Sequence, residues 1–390
     1  MPRSIELFSG CGGLAMGMSR AGFEHELLVE WNRDAHATVA HNRDRGVEHV
    51  AGWPAIQADV RDVQWTPYRG KIQVLTGGPP CQPFGIGGKK QGHEDARDMW
   101  PEAVRAVREI LPDAFTYENV RNLAGPKFKG YLEWVKECLR HPNHPRREGE
   151  AHAEHLARLR ALAEPAPYLV DHQVVNAADY GAAQIRHRVL VRGVRTASGA
   201  QLAPMRPTHS RDRLLWEQWR TGEYWARHGL PVPGDDAIPR EDRARARALR
   251  EMVVPPSELP WRTLRDALSG LGEPDGVANH VHQPGAKSYK GHTGSPLDMP
   301  SKALKAGDHG VPGGENMIRL ADGTVRYLTT REAARLVGLP DAYLFPRSWT
   351  EAMRQLGNAV PAELGEALGR WLARTVAAAK EKPARRRRPA

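Results

Sequence analysis

The stretch Thr76-Gly77-Gly78-Pro79-Pro80-Cys81-Gln82-Pro83-Phe84 holds the residue best suited to covalent chemistry, Cys81. It follows the apolar run Ile72, Val74, Leu75 and so reads as the loop leaving the carboxyl end of a buried strand. Two glycines let the backbone turn tightly, and two prolines then fix φ without offering an N–H. A loop stiffened in this way suits a nucleophile, because a thiolate attacks well only when its direction is fixed. The plain alternative is a buried structural cysteine. A second reactive group follows the strand Asp113 to Tyr117, which leads into Glu118-Asn119-Val120. An acid at the carboxyl end of a neighbouring strand can face the same cleft, and partial burial raises a carboxyl pKa toward that of a proton donor. A surface acid at a strand end is the alternative there. The third set is Gln184-Ile185-Arg186-His187-Arg188, where an extended backbone puts Gln184, Arg186 and Arg188 on one face. Arginine pairs rigidly with carboxylates, phosphates or base carbonyls, so this face suits an oxyanion or a base oxygen.

These groups need a scaffold, and the N-terminal stretch supplies its first turn. Ile5 to Phe8 is a short strand followed by Ser9-Gly10-Cys11-Gly12-Gly13 and a helix from Leu14 to Arg20, which Gly22 stops. Strand, glycine turn and helix start let a ligand approach bare backbone N–H groups. The next strand, His25 to Val29, ends in Glu30, and Ile56 to Val60 gives a third with Asp59 at its end. A strand-end acid about 20 residues after a glycine turn commonly accepts hydrogen bonds from a ribose. Glycine turn, Glu30 and Asp59 together read as an adenosine site. A dinucleotide favours the fuller Gly-x-Gly-x-x-Gly pattern, which Gly10 to Ala15 lacks at its last position, so the pattern leans to S-adenosylmethionine.

Composition bounds the rest. The 390 residues exceed a typical single core, which points to one large and one smaller domain. Hydrophobic residues make up 40% and charged residues 26%, ordinary values for a soluble globular chain. No apolar run approaches the ~20 residues that span a bilayer, no signal-peptide pattern is present, and three cysteines form no disulfide framework; a cytoplasmic location is expected. The net charge of +10 suggests an anionic partner such as nucleic acid. About half of that excess sits in the tail from Lys380, where Lys380, Lys382 and Arg385 to Arg388 face only Glu381.

Further along, Gly85 to Gly92 reads as a mobile loop, and Pro101 to Ile110 as a helix with Val104, Val107 and Leu111 turned to the core. Tyr131 to Leu139 is an amphipathic helix on which Cys138 packs. A charged insertion spans His141 to Pro167 with a helical middle, Ala151 to Ala163; its histidines lack partners at metal-ligand spacing, and no metal site is expected. Strands resume at His172 to Val175 and His187 to Val191. From Pro204 to Arg326 the chain is rich in Trp, Arg, His, Pro and Gly, with few apolar periods. There Trp216, Trp219 and Trp225 at helical spacing read as packing, Arg240 to Arg250 as a solvated charged helix, and the glycine- and histidine-rich runs within 287–317 as loops. A final helix covers Glu363 to Ala379.

Six motifs then fall in a telling order: Phe8-Ser9-Gly10-Cys11-Gly12-Gly13, Gly78-Pro79-Pro80-Cys81-Gln82-Pro83-Phe84, Glu118-Asn119-Val120, Gln184-x-Arg186-x-Arg188, Thr330-Arg331-Glu332-Ala333-Ala334-Arg335 and Gln355-Leu356-Gly357-Asn358-Ala359-Val360-Pro361. The series resembles that of the C5-cytosine DNA methyltransferases and spans the chain from first strand to last helix. The resemblance implies an α/β fold with a Rossmann-like S-adenosylmethionine-dependent sheet in residues 1–203 and 327–379, a smaller irregular target-recognition domain in 204–326, and a basic tail in 380–390. It implies a cofactor site of Phe8, Gly10, Cys11, Gly12, Gly13, Leu14, Glu30, Trp31, Asp59, Val60, Pro80, Asn358 and Ala359. Cys81 would attack C6 of a flipped-out cytosine, Glu118 would act at N3, and Gln184, Arg186 and Arg188 would hold the base oxygen or orient the reacting groups. Gln82, Lys89, Lys90 and Arg97 are the expected DNA contacts. Two departures stand out: Arg97-Asp98-Met99-Trp100 replaces a glycine-containing Arg-Gly-x-Leu-Phe run, and Gly85 stands where the family commonly has serine.

The expected partner is double-stranded DNA, with a cognate restriction endonuclease an open alternative to a solitary enzyme, and the protein itself a monomer because one chain supplies every motif. Methylation of RNA cytosine, as in a subgroup of the fold, is one rival; the sizeable 204–326 region argues for DNA. An inactive DNA-binding scaffold is another, against which the intact Cys81, Glu118, Gln184, Arg186 and Arg188 weigh. A nicotinamide oxidoreductase would leave the Pro-Pro-Cys loop unexplained.

Overall fold

A computed structural model describes residues 1–80, 98–289, 292–307 and 316–381. Among them, seven strands form one sheet. These are β1 (Arg3–Leu7), β2 (Glu24–Glu30), β3 (Ala55–Gln57), β4 (Val74–Gly77), β5 (Ala114–Val120), β6 (Tyr168–Asn176) and β8 (His187–Arg195), with the two-residue β7 (Gln184–Ile185) set apart. The order is β3-β2-β1-β4-β5-β8-β6, all parallel except β8, which runs against both neighbours. The central strands are buried on both faces, as in a covered parallel sheet: Ile5, Leu7, Leu28, Val29, Val74, Leu75, Phe115 and Tyr117 supply the apolar packing, with Ser4, Glu6, Thr76 and Thr116 buried among them. Gly193 in β8 lets the Phe115 ring lie across its backbone, since a Cβ there would fall 2.0 Å from the ring.

The chain leaves β1 toward β2 and β3, then returns to build β4 and β5 on the other side. The switch point therefore lies between β1 and β4, and ligands in open α/β sheets bind outside the carboxyl ends of the strands there. Both the glycine turn and the Pro-Pro-Cys loop leave the sheet at that crevice.

Helices α1 (Gly13–Arg20), α2 (Arg33–Asp44), α3 (Trp100–Ile110), α4 (Lys129–Arg140) and α5 (His152–Arg160) follow their strands. α5 is shorter than the expected 151–163, ending at Arg160 ahead of Pro165 and Pro167. The expected strand over 56–60 likewise stops at Gln57. Asp59 instead caps a single 3-10 turn, Val60–Asp62, by accepting the Arg61 N–H.

Beyond the sheet come β9 (His209–Ser210), α6 (Arg211–Trp216), α7 (Glu223–Arg227), α8 (Arg243–Arg250), β10 (Leu259–Pro260) and α9 (Leu264–Leu268). α6 to α8 close their own small core around Leu215, Trp216, Trp219, Tyr224, Trp225 and Leu249, so the three tryptophans pack as expected. Then follow β11 (Ser295–Pro296), β12 (Ser301–Lys302), β13 (Met317–Arg319), β14 (Val325–Tyr327), α10 (Thr330–Leu336), α11 (Trp349–Asn358) and α12 (Ala362–Glu381). Leu264, Leu304, Ile318 and Leu328 share one apolar cluster with Ala15, Leu28 and Val39 of the first half-sheet.

α12 lies directly on α1. A Cβ at Gly17 would sit 2.3 Å from the Ala362 carbonyl oxygen, and one at Gly13 equally close to that of Val360, so only glycine admits this approach. The C-terminal motif is thereby brought to the glycine turn that opens the chain. No helix among the described residues is long and apolar enough to cross a membrane.

Candidate active site

The turn after β1 is built on left-handed backbone: Phe8 has φ 58°, Gly10 55° and Gly12 80°. For a residue as bulky as phenylalanine this conformation costs on the order of 1 kcal/mol or more, the kind of strain that gathers at ligand sites. Gly12 caps α1 without a side chain. The Gly10 N–H donates to Glu30 Oε2 and the Asn32 N–H to Glu30 Oε1, each at 2.7 Å. One lone pair on each carboxylate oxygen is left for a ligand. Burial holds the Glu30 carboxyl above its ordinary value despite these bonds. Asp59 is pulled the opposite way by the Arg61 guanidinium, which it meets through both oxygens at 3.0 and 2.5 Å.

This turn forms one end of a cavity of about 650 Å³ that continues to Glu118 and Arg188. Phe8, Gly10, Gly13, Leu14, Glu30, Trp31, Asp59, Val60, Pro80, Asn358 and Ala359 line it. Of the expected set, Cys11 and Gly12 do not. The Cys11 carbonyl accepts the Tyr343 hydroxyl at 2.8 Å, and burial pushes its thiol up to about 12. Gly12 lies against Trp53, whose ring a Cβ would meet at 2.5 Å.

At the far end Glu118 is buried at the close of β5, and Arg188 Nε forms an ion pair with its Oε1. Glu118 and Arg188 come from adjacent antiparallel strands, two positions apart along the ladder and therefore on one face. A Cβ added to Gly78 would lie 3.3 Å from Glu118 Oε2, so the glycine lets the carboxylate stand against the start of the Pro-Pro-Cys loop. The Asn119 amide pins that loop by donating to the Pro79 carbonyl at 3.0 Å. Cys81, Gln82, Lys89, Lys90 and Arg97 lie outside the described residues.

With this geometry in place, a family model for C-5 cytosine-specific DNA methylases matches residues 2–215 and 275–374. The chain belongs to this family. It is 30% identical to the Type II methyltransferase M.PspPI of Psychrobacter sp. over 96% of its own length and 80% of that protein. To the Type II methyltransferase M.NgoMIV of Neisseria gonorrhoeae it is 29% identical, over 95% and 96% of the two chains. The fold is also similar to that of the S. pombe Dnmt2 methyltransferase, with a TM-score of 0.56 at 16% identity over 96% and 99% of the chains. The stretch outside the family match, 216–274, carries α7, α8, β10 and α9.

In this methylase the three members of the Gln-x-Arg-x-Arg run do different things. Arg188 reaches Glu118. Arg186, also at the cavity wall, donates to the Gly357 carbonyl at 2.6 Å, the Leu304 carbonyl at 3.1 Å and Gln184 Oε1 at 3.3 Å. Gln184 is fully buried, away from the cavity, and accepts the Leu304 N–H. Gln184 and Arg186 share one side, as alternation expects, but the pairing of β7 with β12 brings the 301–306 segment alongside, and Leu304 takes up polar groups of both. Two groups were given no role from the sequence. Asn119 is one, although it adjoins Glu118 on the opposite strand face. Glu6 is the other: it sits mid-strand in the cavity wall, 1% exposed, with no hydrogen-bond partner for Oε2 among the described residues, and burial holds its carboxyl well above the ordinary range. Only the strand's apolar surroundings mark a carboxylate there as unusual.

Proposed function

We propose that the chain transfers a methyl group from S-adenosylmethionine to C5 of a cytosine flipped out of duplex DNA, through a covalent bond between Cys81 and C6. The observation that carries this reading is the buried Glu118–Arg188 pair set against Gly78 of the cysteine loop. An acid held by a guanidinium beside a cysteine loop matches what cytosine chemistry requires.

The residues present fit the methyl donor. The exposed Trp31 indole beside Phe8 and Val60 suits a flat base, and Glu30 retains acceptor sites for a ribose diol. Glu6 Oε2 and the backbone of Gly10 and Gly13 at the cavity wall suit a polar amino-acid end. When bound, S-adenosylmethionine supplies an electrophilic methyl on a sulfonium.

The carbon to be methylated is a poor nucleophile, because the cytosine ring is electron-poor. The Cys81 thiolate adds to C6 while Glu118, in its protonated form, gives a proton to N3, so that C5 becomes enamine-like; N3 returns that proton to Glu118 when Cys81 leaves. C5 then takes the methyl group. Loss of the C5 proton to a base restores the C5–C6 double bond and expels Cys81 as the thiolate. Arg188 orients Glu118 throughout, and Arg186 locks the wall by tying Leu304 to Gly357. An ordinary thiol, with a pKa of about 8.5, is mostly protonated at neutral pH, so a guanidinium brought close to it would favour its ionised form. Flipping the base costs roughly a few kcal/mol. In this reading residues 1–203 and 327–379 carry catalysis and 204–326 read the target. The protein acts as a monomer in the cytoplasm, and its likeness to Type II methyltransferases favours a cognate endonuclease beside it.

The test is covalent capture. On duplexes whose cytosines are 5-fluorocytosine, C5 carries no proton to lose, so the enzyme with S-adenosylmethionine stays bonded to DNA on a denaturing gel. Cys81→Ser gives no such band. A band that survives Cys81→Ser contradicts the assignment.

A further inference from the structure

Between Asn119 and Leu132 the chain has no acidic residue but carries Arg121, Lys127 and Lys129. The segment leaves the site directly: Val120 lines the cavity, and the next residue opens two 3-10 turns, Arg121–Ala124 and Pro126–Phe128, before α4 begins at Lys129. Leu123 is buried in the main core and Phe128 packs against it, which anchors the turns from inside. Arg121, Lys127 and Lys129 point the other way and are exposed. Among the described residues none of the three pairs with a carboxylate; Lys127 only covers the Phe128 ring, at 5.3 Å from its centroid. The nearby carboxylates are engaged elsewhere, Asp98 with the Tyr131 hydroxyl and the Trp100 N–H, and Glu133 with Lys136 at 2.7 Å. The first turn of α4 holds no acid. Across the ladder stands exposed His187, whose imidazole burial and the Arg121 charge hold below its ordinary value.

Like charges gathered on an anchored surface repel one another and are relieved by an anion. We infer that Arg121, Lys127 and Lys129 form a track for the phosphodiester backbone of duplex DNA beside the nucleotide in the cavity. This rests on the DNA reading above. A run of cations without intervening acids suits a strand of evenly spaced phosphates, and their shared anchoring on Leu123 and Phe128 keeps them in a fixed relation to Glu118. Such contacts position the duplex and read no sequence.

The experiment measures the affinity of the full chain for a short fluorescent duplex over a range of salt. Each phosphate contact contributes about 0.9 to the slope of log Kd against log salt. Arg121→Ala, Lys127→Ala and Lys129→Ala together should lower the slope by close to one per side chain, while S-adenosylmethionine affinity is unchanged. The charge-preserving set Arg121→Lys, Lys127→Arg and Lys129→Arg should keep it. An unchanged slope in the triple alanine variant of an enzyme that binds and methylates duplex overturns the track alone. A slope that falls for single-stranded RNA but not for duplex overturns the choice of partner. Wild-type enzyme that methylates no duplex cytosine overturns the reading beneath it.

Discussion

Glu118 is useful only because something fixes it. Its carboxylate is buried at the end of β5, with Arg188 on one oxygen and Gly78 close to the other. Removing one partner of a buried pair leaves the other charge uncompensated, which typically costs about 3–5 kcal/mol. Arg188→Ala should therefore slow methyl transfer by roughly 10²–10⁴-fold, the range associated with a positioned acid or base. The single-turnover rate checks this, with S-adenosylmethionine binding as the control: Glu30 and the glycine turn stand at the other end of the cavity, so affinity should hold. A loss below about tenfold would mean that Arg188 does not position the acid. The same scale shows where residue patterns mislead. The glycine turn was legible as a turn at the sheet crevice, yet a run of small residues does not reveal which members face the cavity. Cys11 turns inward because Tyr343, far along the chain, closes over its carbonyl. Gly12 turns away because Trp53 stands behind it.

At the scale of elements, the site depends on the seam between α1 and α12. At Gly17 an added methyl would meet backbone atoms, the Ala362 oxygen at 2.3 Å and the Glu366 nitrogen at 2.4 Å, and backbone cannot step aside as a flexible side chain can. Gly17→Val should destabilise by about 1–3 kcal/mol or more and weaken S-adenosylmethionine binding, because Gly13 and Ala359 belong to the same seam. Gly130 in α4 is the contrast: an added Cβ there meets nothing within 4 Å, so Gly130→Ala should raise Tm slightly. Thermal melts of the two variants separate the cases; equal effects would refute the role of the seam. Strands β1, β2, β4 and β5 were legible because each holds a short cluster of apolar or aromatic residues followed by a turn or an acid. β9 to β12 were not, since two residues are too few to show a period and their pairing is set by the tertiary fold. β3 was overextended because Asp59 satisfies its neighbour's backbone locally, which no apolar pattern reports.

On the scale of the molecule, distant segments converge on one wall. Arg186 joins Leu304 to Gly357, β12 pairs with β7, and α12 returns to α1. The 301–306 segment and the sheet are thus mechanically joined, whereas α6 to α8 hold a core of their own, largely beyond the family match. Order of motifs made this architecture legible; the splitting of Gln184, Arg186 and Arg188 among three tasks depends on contacts over a hundred residues away. The central claim is that this machinery methylates C5 of DNA cytosine through Cys81. Base-resolution 5-methylcytosine mapping in a methylation-free host, with wild-type chain beside Cys81→Ser, tests it most directly. The account predicts methylation confined to one short sequence context and abolished by Cys81→Ser. Methylation that persists in the Cys81→Ser strain, or a soluble wild-type chain that marks RNA cytosine and leaves DNA bare, would contradict it.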